Sequence, residues 1–294
     1  MQENSQTKLG SAANHGRRFG GIARLYGDVG LQRICAAHVC VIGIGGVGSW
    51  AAESLARSAV GEITLIDMDI VAESNINRQL LATTASIGRD KGLVMRDRIN
   101  DINPMCRVNV VDEFISRDNL NKLISGDFDY VVDCIDDFRT KAALIHHCKA
   151  NKIKILTTGG AGGQVDPSKV VQTDLNRTQH DVLLAKTRKL LRQEYGFPRN
   201  LKRSFGIPCV YSNEQLVYPD GQGGLSAQRP TQDDIVDSGA TVATKKGGTE
   251  LTTDNSSNAL TCAGGIGSIT HVTATFAFFA TGFVLNYIAN DKSA

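Results

Sequence analysis

A chain of 294 residues with 41% hydrophobic and 21% charged content can bury a sizeable core, which excludes the disordered and fibrous classes. Thirty glycines against six prolines gather at a few points without a repeat, so they argue for sharp turns or ligand loops and against collagen-like or linker arrays. A formal net charge of +2 makes no global demand for an acidic partner.

From Leu31 onward, short β-branched runs alternate with helical patterns. Residues 38–42, 62–66, 107–111, 130–132 and 153–156 read as strands, bounded by glycine or aspartate and apolar enough to be buried on both faces. That is the signature of βαβ units, and it predicts an α/β fold with a doubly wound, mostly parallel, Rossmann-like sheet. After Gly88, Met95, Ile99 and Ile102 recur at i, i+4 and i+7, giving a helix with one buried stripe that Asn103-Pro104 ends. The alternation stops near Asp174, where a basic helical stretch begins. A Gly/Ser/Thr-rich tract over 221–257 then reads as a mobile loop. Residues 269–289 contain no Lys, Arg, Asp or Glu and approach the length of a membrane span, but their threonines, His271 and Asn286 suit a helix buried in the core or at a dimer seam, so a membrane role is not expected. The expected organisation is a single domain with a nucleotide-binding core over 18–175, a basic insertion and loop over 176–262, and a C-terminal helix over 263–294.

Seven cysteines, at 35, 40, 106, 134, 148, 209 and 262, include no Cys-x-x-Cys pair, which removes the simplest zinc-ribbon and thioredoxin readings. The first forty residues lack an uninterrupted apolar run, so no signal peptide is expected, and reduced thiols in the cytoplasm are the expectation. His146-His147 lacks metal-ligand spacing, and Trp50 reads as core.

Gly43-Ile44-Gly45-Gly46-Val47-Gly48 follows a strand and opens a helix, so the backbone can approach a phosphate at the helix N-terminus. The motif leaves the nucleotide open, since it also fits a dinucleotide fold. Asp67 closes the second strand, where a carboxylate can accept ribose hydroxyls, and Asp69 faces the same way. Asn75-Ile76-Asn77-Arg78-Gln79 brings a guanidinium near the phosphates. Lys91 stands in a helix first turn, where only an anionic ligand would favour a cation. Asp133-Cys134-Ile135-Asp136-Asp137 lies at the sheet edge; Asp136 could hold Mg2+, and Asp137 reads as a helix N-cap. Thr157-Thr158-Gly159-Gly160-Ala161-Gly162-Gly163 leaves room for a substrate beside the nucleotide.

In order and spacing, these segments resemble the adenylating enzymes related to ubiquitin activators, whose small bacterial members activate the C-termini of sulfur-carrier proteins. The resemblance implies ATP rather than NAD. It puts Gly43, Gly45, Gly46, Gly48, Asp67, Asp69, Asn75, Arg78, Gln79 and Lys91 around the nucleotide and Mg2+ at Asp136, and it accommodates a monovalent cation. Arg78, Lys91 and Asp136 become the catalytic groups, with Arg24 reaching the ATP of a partner subunit in a homodimer. Two departures stand out: the zinc knuckles of the sulfur-carrier activators are missing, and Lys141 occupies the place of a usual arginine. Closer similarity comes from Arg18-Phe19-Gly20-Gly21, residues 23–27, Val210-Tyr211-Ser212, residues 215–219 and 264–267, and Thr273-Ala274-Thr275-Phe276. These resemble the tRNA threonylcarbamoyladenosine dehydratase family, which implies ATP-dependent cyclisation of N6-threonylcarbamoyladenosine next to the anticodon. A sulfur-relay protein of the cysteine desulfurase system is a further partner on that resemblance, and DNA is not.

Residues 177–203 agree with an RNA substrate. Arg177, Lys186, Arg188, Lys189, Arg192, Arg199, Lys202 and Arg203 face only Asp181 and Glu194, and all but Arg177 are the candidate RNA contacts. Tyr195, Phe197 and Phe205 are interleaved as candidate stacking faces. Cys262, which might be equated with a thioester cysteine, reads as non-essential because ring closure needs no enzyme nucleophile. The rival readings are an activator of a ubiquitin-like protein's C-terminus, a nicotinamide-dependent oxidoreductase, and an RNA-binding module with a vestigial nucleotide site.

Overall fold

The computed structural model describes residues 14–220, 224–228 and 266–290. Cys262, most of the tract over 221–257, and Gly264 and Gly265 lie outside the described residues. The elements in chain order are α1 (His15–Ala36), β1 (His38–Ile42), α2 (Gly48–Arg57), β2 (Glu62–Ile66), α3 (Lys91–Ile102), β3 (Arg107–Val111), α4 (Leu120–Leu123) and β4 (Tyr130–Asp133). They continue with α5 (Phe138–Ala150), β5 (Ile155–Thr158), β6 (Val170–Asp174), α6 (Val182–Glu194), β7 (Pro208–Ser212) and a last helix, α7 (Thr270–Asn290). A minor hairpin pairs Tyr218–Pro219 with Leu225–Ser226.

The main sheet has the order β3-β2-β1-β4-β5-β7-β6, and every neighbouring pair is parallel except the edge pair of β6 with β7. Val39, Cys40 and Val41 of the central β1 are wholly buried, because helices cover both faces of a parallel sheet. Strand order reverses between β1 and β4, and Ile42 pairs with both Ile66 and Asp133, so the carboxyl ends of β1, β2 and β4 finish level. In open α/β sheets that crevice is where ligands bind.

The five expected strands are present, with β4 reaching Asp133 and β5 starting at Ile155 rather than 153. The left-handed turn at Lys152 (φ 59°) delays β5. The helix predicted after Gly88 is α3, its buried stripe running through Met95 and Ile99 and its last turn ending before Asn103. One expectation fails: the alternation does not stop at Asp174. Beyond α6 the chain returns as β7 and inserts between β5 and β6, and the basic helix packs against α5 and into the core. Leu184 and Leu191 of α6 are wholly buried.

α7 is long and apolar enough to cross a bilayer by length and composition, yet it packs against α1 and α2. Val272, Phe276, Ala280 and Val284 are fully buried at i, i+4, i+8 and i+12. Ser54 and Thr281 share a hydroxyl hydrogen bond at 2.9 Å, and Arg33 donates to the Ala289 carbonyl at 3.0 Å near the helix end.

Candidate active site

The strand-to-helix turn after β1 is closed by glycines with separate duties. Gly43 has φ 83°, its amide donates to the Ile66 carbonyl at 2.9 Å, and a Cβ there would stand 3.0 Å from the Cys134 carbonyl oxygen. A Cβ on Gly48 would lie 1.9 Å from the Gly43 carbonyl oxygen, so α2 can press onto the turn only with glycine there. Gly45 and Gly46 border the cavity at the N-terminus of α2, which has no side-chain cap, and a Cβ on Gly46 would stand 3.2 Å from Thr273 Cγ2.

Asp67 is tied down by amides. Oδ2 accepts from Ile44 at 2.6 Å and Oδ1 from Asp69 at 2.8 Å. Burial pushes its carboxyl above the usual range, while the Lys91 charge pulls the other way. Lys91, 5% exposed, donates to Asp69 Oδ2 at 2.7 Å. Arg78 is pinned through its main chain: its carbonyl accepts from Trp50 Nε1 at 3.1 Å and from Thr273 Oγ1 at 3.2 Å. Its guanidinium donates to the Ser74 carbonyl at 2.7 Å. Asn75 Oδ1 accepts the Ala72 amide, and the buried Gln79 Oε1 has no donor among the described residues.

These groups line one cavity of about 580 Å³ at the carboxyl ends of β1, β2 and β4. Gly43, Gly45, Gly46, Asp67, Asp69, Asn75, Arg78, Gln79, Lys91 and Asp136 all border it. Gly48 shapes the turn from outside the lining, and Arg24 lies exposed on α1, away from the cavity. Sequence reasoning missed Phe114 and Ile115 after β3, and Ser268 and Thr273 at the start of α7. A polar face on the first turn of an otherwise apolar helix was the available signal.

Asp137 Oδ2 caps α5 by accepting the Thr140 amide at 2.7 Å, and Asp136 stays exposed on the cavity rim without a partner among the described residues. The described residues hold no cluster of three or more metal-binding side chains. A single carboxylate nevertheless suits Mg2+, which keeps waters and takes oxygens from substrate phosphates. Five lining carboxylates, on Asp67, Asp69, Glu113, Asp136 and Asp137, outnumber Arg78 and Lys91, so a triphosphate would need cations beyond those of the cavity.

Lys141 does not enter the cavity. It is wholly buried and donates to Asp133 Oδ2 at 2.7 Å and to Thr157 Oγ1 at 3.1 Å. Cys134 does border the cavity, but burial, then the Asp133 charge, pushes its thiol up to about 12, so it stays protonated at neutral pH.

The basic stretch is rearranged by packing. Arg188 turns inward to the Thr178 hydroxyl and Arg192 to the Asn176 carboxamide, and burial lowers the Arg188 pKa from its usual value. Lys189, Arg199, Lys202 and Arg203 are exposed, and Lys186 lies over the Phe138 ring, 5.5 Å from its centroid. The expected aromatic stacking faces do not exist as such: Phe197 and Phe205 are core residues, 5% and 0% exposed, packed edge-on at 5.0 Å. Tyr195 is half-buried against His146 at 4.7 Å.

Comparison with known proteins gives a match to the ThiF family over residues 20–278. The chain is 44% identical over 287 residues to the tRNA threonylcarbamoyladenosine dehydratase of Haemophilus influenzae, covering 98% of this chain and 99% of that one. To the Escherichia coli enzyme of the same name it is 46% identical over 269 residues, 92% of each chain. Solved structures of E. coli tRNA N6-threonylcarbamoyladenosine dehydratase in complex with AMP and with ATP superpose with a TM-score of 0.76 at 44% identity, over 93% of this chain and 94% of those.

Proposed function

The chain belongs to the ThiF family, and we propose that it is an ATP-dependent dehydratase that cyclises N6-threonylcarbamoyladenosine next to the anticodon of tRNA. The observation that carries this reading is the convergence of residues 43–46, Asp67, Arg78, Lys91 and Asp136 on one cavity. Similarity over nearly the full length to dehydratases, one of them solved with ATP, supports it. A nicotinamide site would have no use for Arg78, Lys91 and Asp136 together.

A free carboxylate is a poor electrophile with a poor leaving group, so it must first be activated. In the proposed sequence, a carboxylate oxygen of the threonyl side chain attacks the ATP α-phosphorus, the bond to the β-phosphate oxygen breaks, and pyrophosphate leaves. The ureido oxygen then attacks the acyl-adenylate carbon, closing a five-membered ring. AMP departs with the original carboxylate oxygen, and the ureido nitrogen loses a proton. The balance is one water removed from the nucleoside, with ATP converted to AMP and pyrophosphate. Ring closure within one side chain enjoys effective molarities of about 10⁵ M or more, so no enzyme nucleophile is required. The protonated thiol of Cys134 agrees with that.

Asp67 orients the ribose from its two amide anchors, and the Gly45–Gly46 backbone with the α2 N-terminus receives phosphate oxygens. Arg78 and Lys91 stabilise charge developing on the phosphates, in general the largest catalytic contribution in such transfers. Asp136 would hold Mg2+, which would supply further charge neutralisation at the phosphates. The excess of carboxylates in the cavity gives a reason for Arg24 to act from a second subunit, its exposed position leaving it free to do so in a homodimer. The free cysteines among the described residues suit a reducing, cytoplasmic setting.

The test is mass spectrometry of nucleosides from threonylcarbamoylated tRNA incubated with the protein and ATP. The proposal predicts a nucleoside lighter by one water, with AMP as co-product, and loss of both in Asp136→Ala. An unchanged nucleoside, together with pyrophosphate exchange that depends on a Gly-Gly-ended protein instead of tRNA, would contradict it.

A further inference from the structure

Beside the rim of the cavity, where α5 packs on α6, stand cations that no carboxylate among the described residues pairs with. Phe138 opens α5, and two positive groups lie over its half-buried ring: the Arg139 guanidinium 4.8 Å from the centroid and the Lys186 ammonium at 5.5 Å. Neither cation makes an ion pair among the described residues. The neighbouring carboxylates are otherwise engaged. Asp137 caps α5, Asp181 is buried on amides, and Asp136 faces the cavity.

Arg139 occupies the first turn of α5, beside the Asp137 carboxylate that caps the helix through the Thr140 amide. Asp136, Asp137 and Thr140, on either side of Phe138 and Arg139, line the cavity, so the patch sits at its mouth. One turn further along α6, Lys189 is exposed at i+3 from Lys186 and carries the positive line outward.

We propose that Phe138, Arg139 and Lys186 form a phosphodiester subsite for the RNA nucleotide flanking the modified adenosine, with Lys189 taking the next phosphate. This deepens the dehydratase reading and rests on it. When the modified base enters the cavity, the adjoining backbone must cross the rim, and the ring holds the two cations apart and pre-oriented for its oxygens. The RNA-facing set therefore differs from the one read off the sequence: Arg188 and Arg192 are spent on internal hydrogen bonds, and Arg139 lies outside the basic stretch altogether.

The experiment measures the affinity of the full chain for a threonylcarbamoylated anticodon stem-loop RNA by fluorescence anisotropy across a salt series. It compares Arg139→Gln/Lys186→Gln with Lys152→Gln/Lys169→Gln, which removes the same charge from exposed lysines elsewhere. The patch variant should bind about tenfold more weakly, with a salt slope shallower by about 0.7 for each phosphate no longer neutralised, while the control stays at wild-type affinity. Calorimetry with ATP should give the wild-type dissociation constant for both, which shows the fold intact. Equal weakening in the two variants, or none in either, overturns the subsite. A wild-type protein that binds the RNA through the patch but never dehydrates it would instead overturn the dehydratase reading and leave the subsite standing.

Discussion

Asp181 Oδ2 accepts the amide of Gly160 at 2.9 Å while its Oδ1 accepts that of Leu184 at 2.8 Å, so one buried carboxylate joins the N-terminus of α6 to the glycine segment after β5. A Cβ on Gly159 would fall 2.1 Å from the same Oδ2. Glycine at 159 is therefore required by the carboxylate beside it, and of the four glycines in that segment only Gly162 borders the cavity.

A pH dependence follows. Burial raises the Asp181 carboxyl above its usual value, partly offset by the Leu184 and Gly160 amides. The folded chain thus holds this proton more tightly than the unfolded chain. The stabilisation is complete below the unfolded value of about 4 and is lost as pH rises through the folded one. In thermal denaturation from pH 4 upward, Asp181→Asn should lack this component of the wild-type decline; parallel curves would contradict the assignment.

Lys141 and Asp133 form an ion pair with neither side chain exposed. Lys141→Ala leaves an uncompensated buried carboxylate and should destabilise the protein by about 3–5 kcal/mol in urea denaturation. A loss below about 1 kcal/mol, the scale of an exposed pair, would show that water reaches the site.

How much of this can be read in the sequence depends on whether chemistry or packing fixes each residue. The glycine loop and Asp67 stand at strand ends that periodicity identifies, Arg78 follows in the irregular segment after β2, Lys91 opens α3, and the fold then brings them together. The burial of Lys141 and Arg188 is illegible there because charged residues default to the surface, and only tertiary structure supplies their internal partners. β7 escapes notice because its Pro208–Ser212 run is short and follows a polar connection, although its middle residues are fully buried. The contribution of α7 to the cavity reaches across nearly two hundred residues of sequence, through Thr270 to Asn77 and Thr273 to Arg78, a range beyond any local pattern.

Arg78 and Lys91 should matter for chemistry more than for folding. Arg78→Ala and Lys91→Ala are each expected to lower kcat by about 10²–10³. The partner that Lys91→Ala leaves behind, Asp69, is half exposed, so stability should change little. Steady-state kinetics beside melting curves checks this. Full activity in either variant would remove that residue from the phosphate site.

Two cysteines separate intramolecular closure from a covalent enzyme intermediate. Cys134→Ala and Cys262→Ala should both retain wild-type turnover, since the Cys134 thiol is protonated and the ring closes within the substrate. Abolished turnover with intact ATP binding in either variant would demand a thioester step.

The most direct test of carboxylate adenylation uses tRNA whose threonylcarbamoyl carboxylate carries heavy oxygen, with the nucleotide product analysed by mass spectrometry. Attack of that carboxylate on the α-phosphorus predicts AMP containing one heavy oxygen, released together with unlabelled pyrophosphate. Unlabelled AMP, or ADP with the label in inorganic phosphate, would contradict the account.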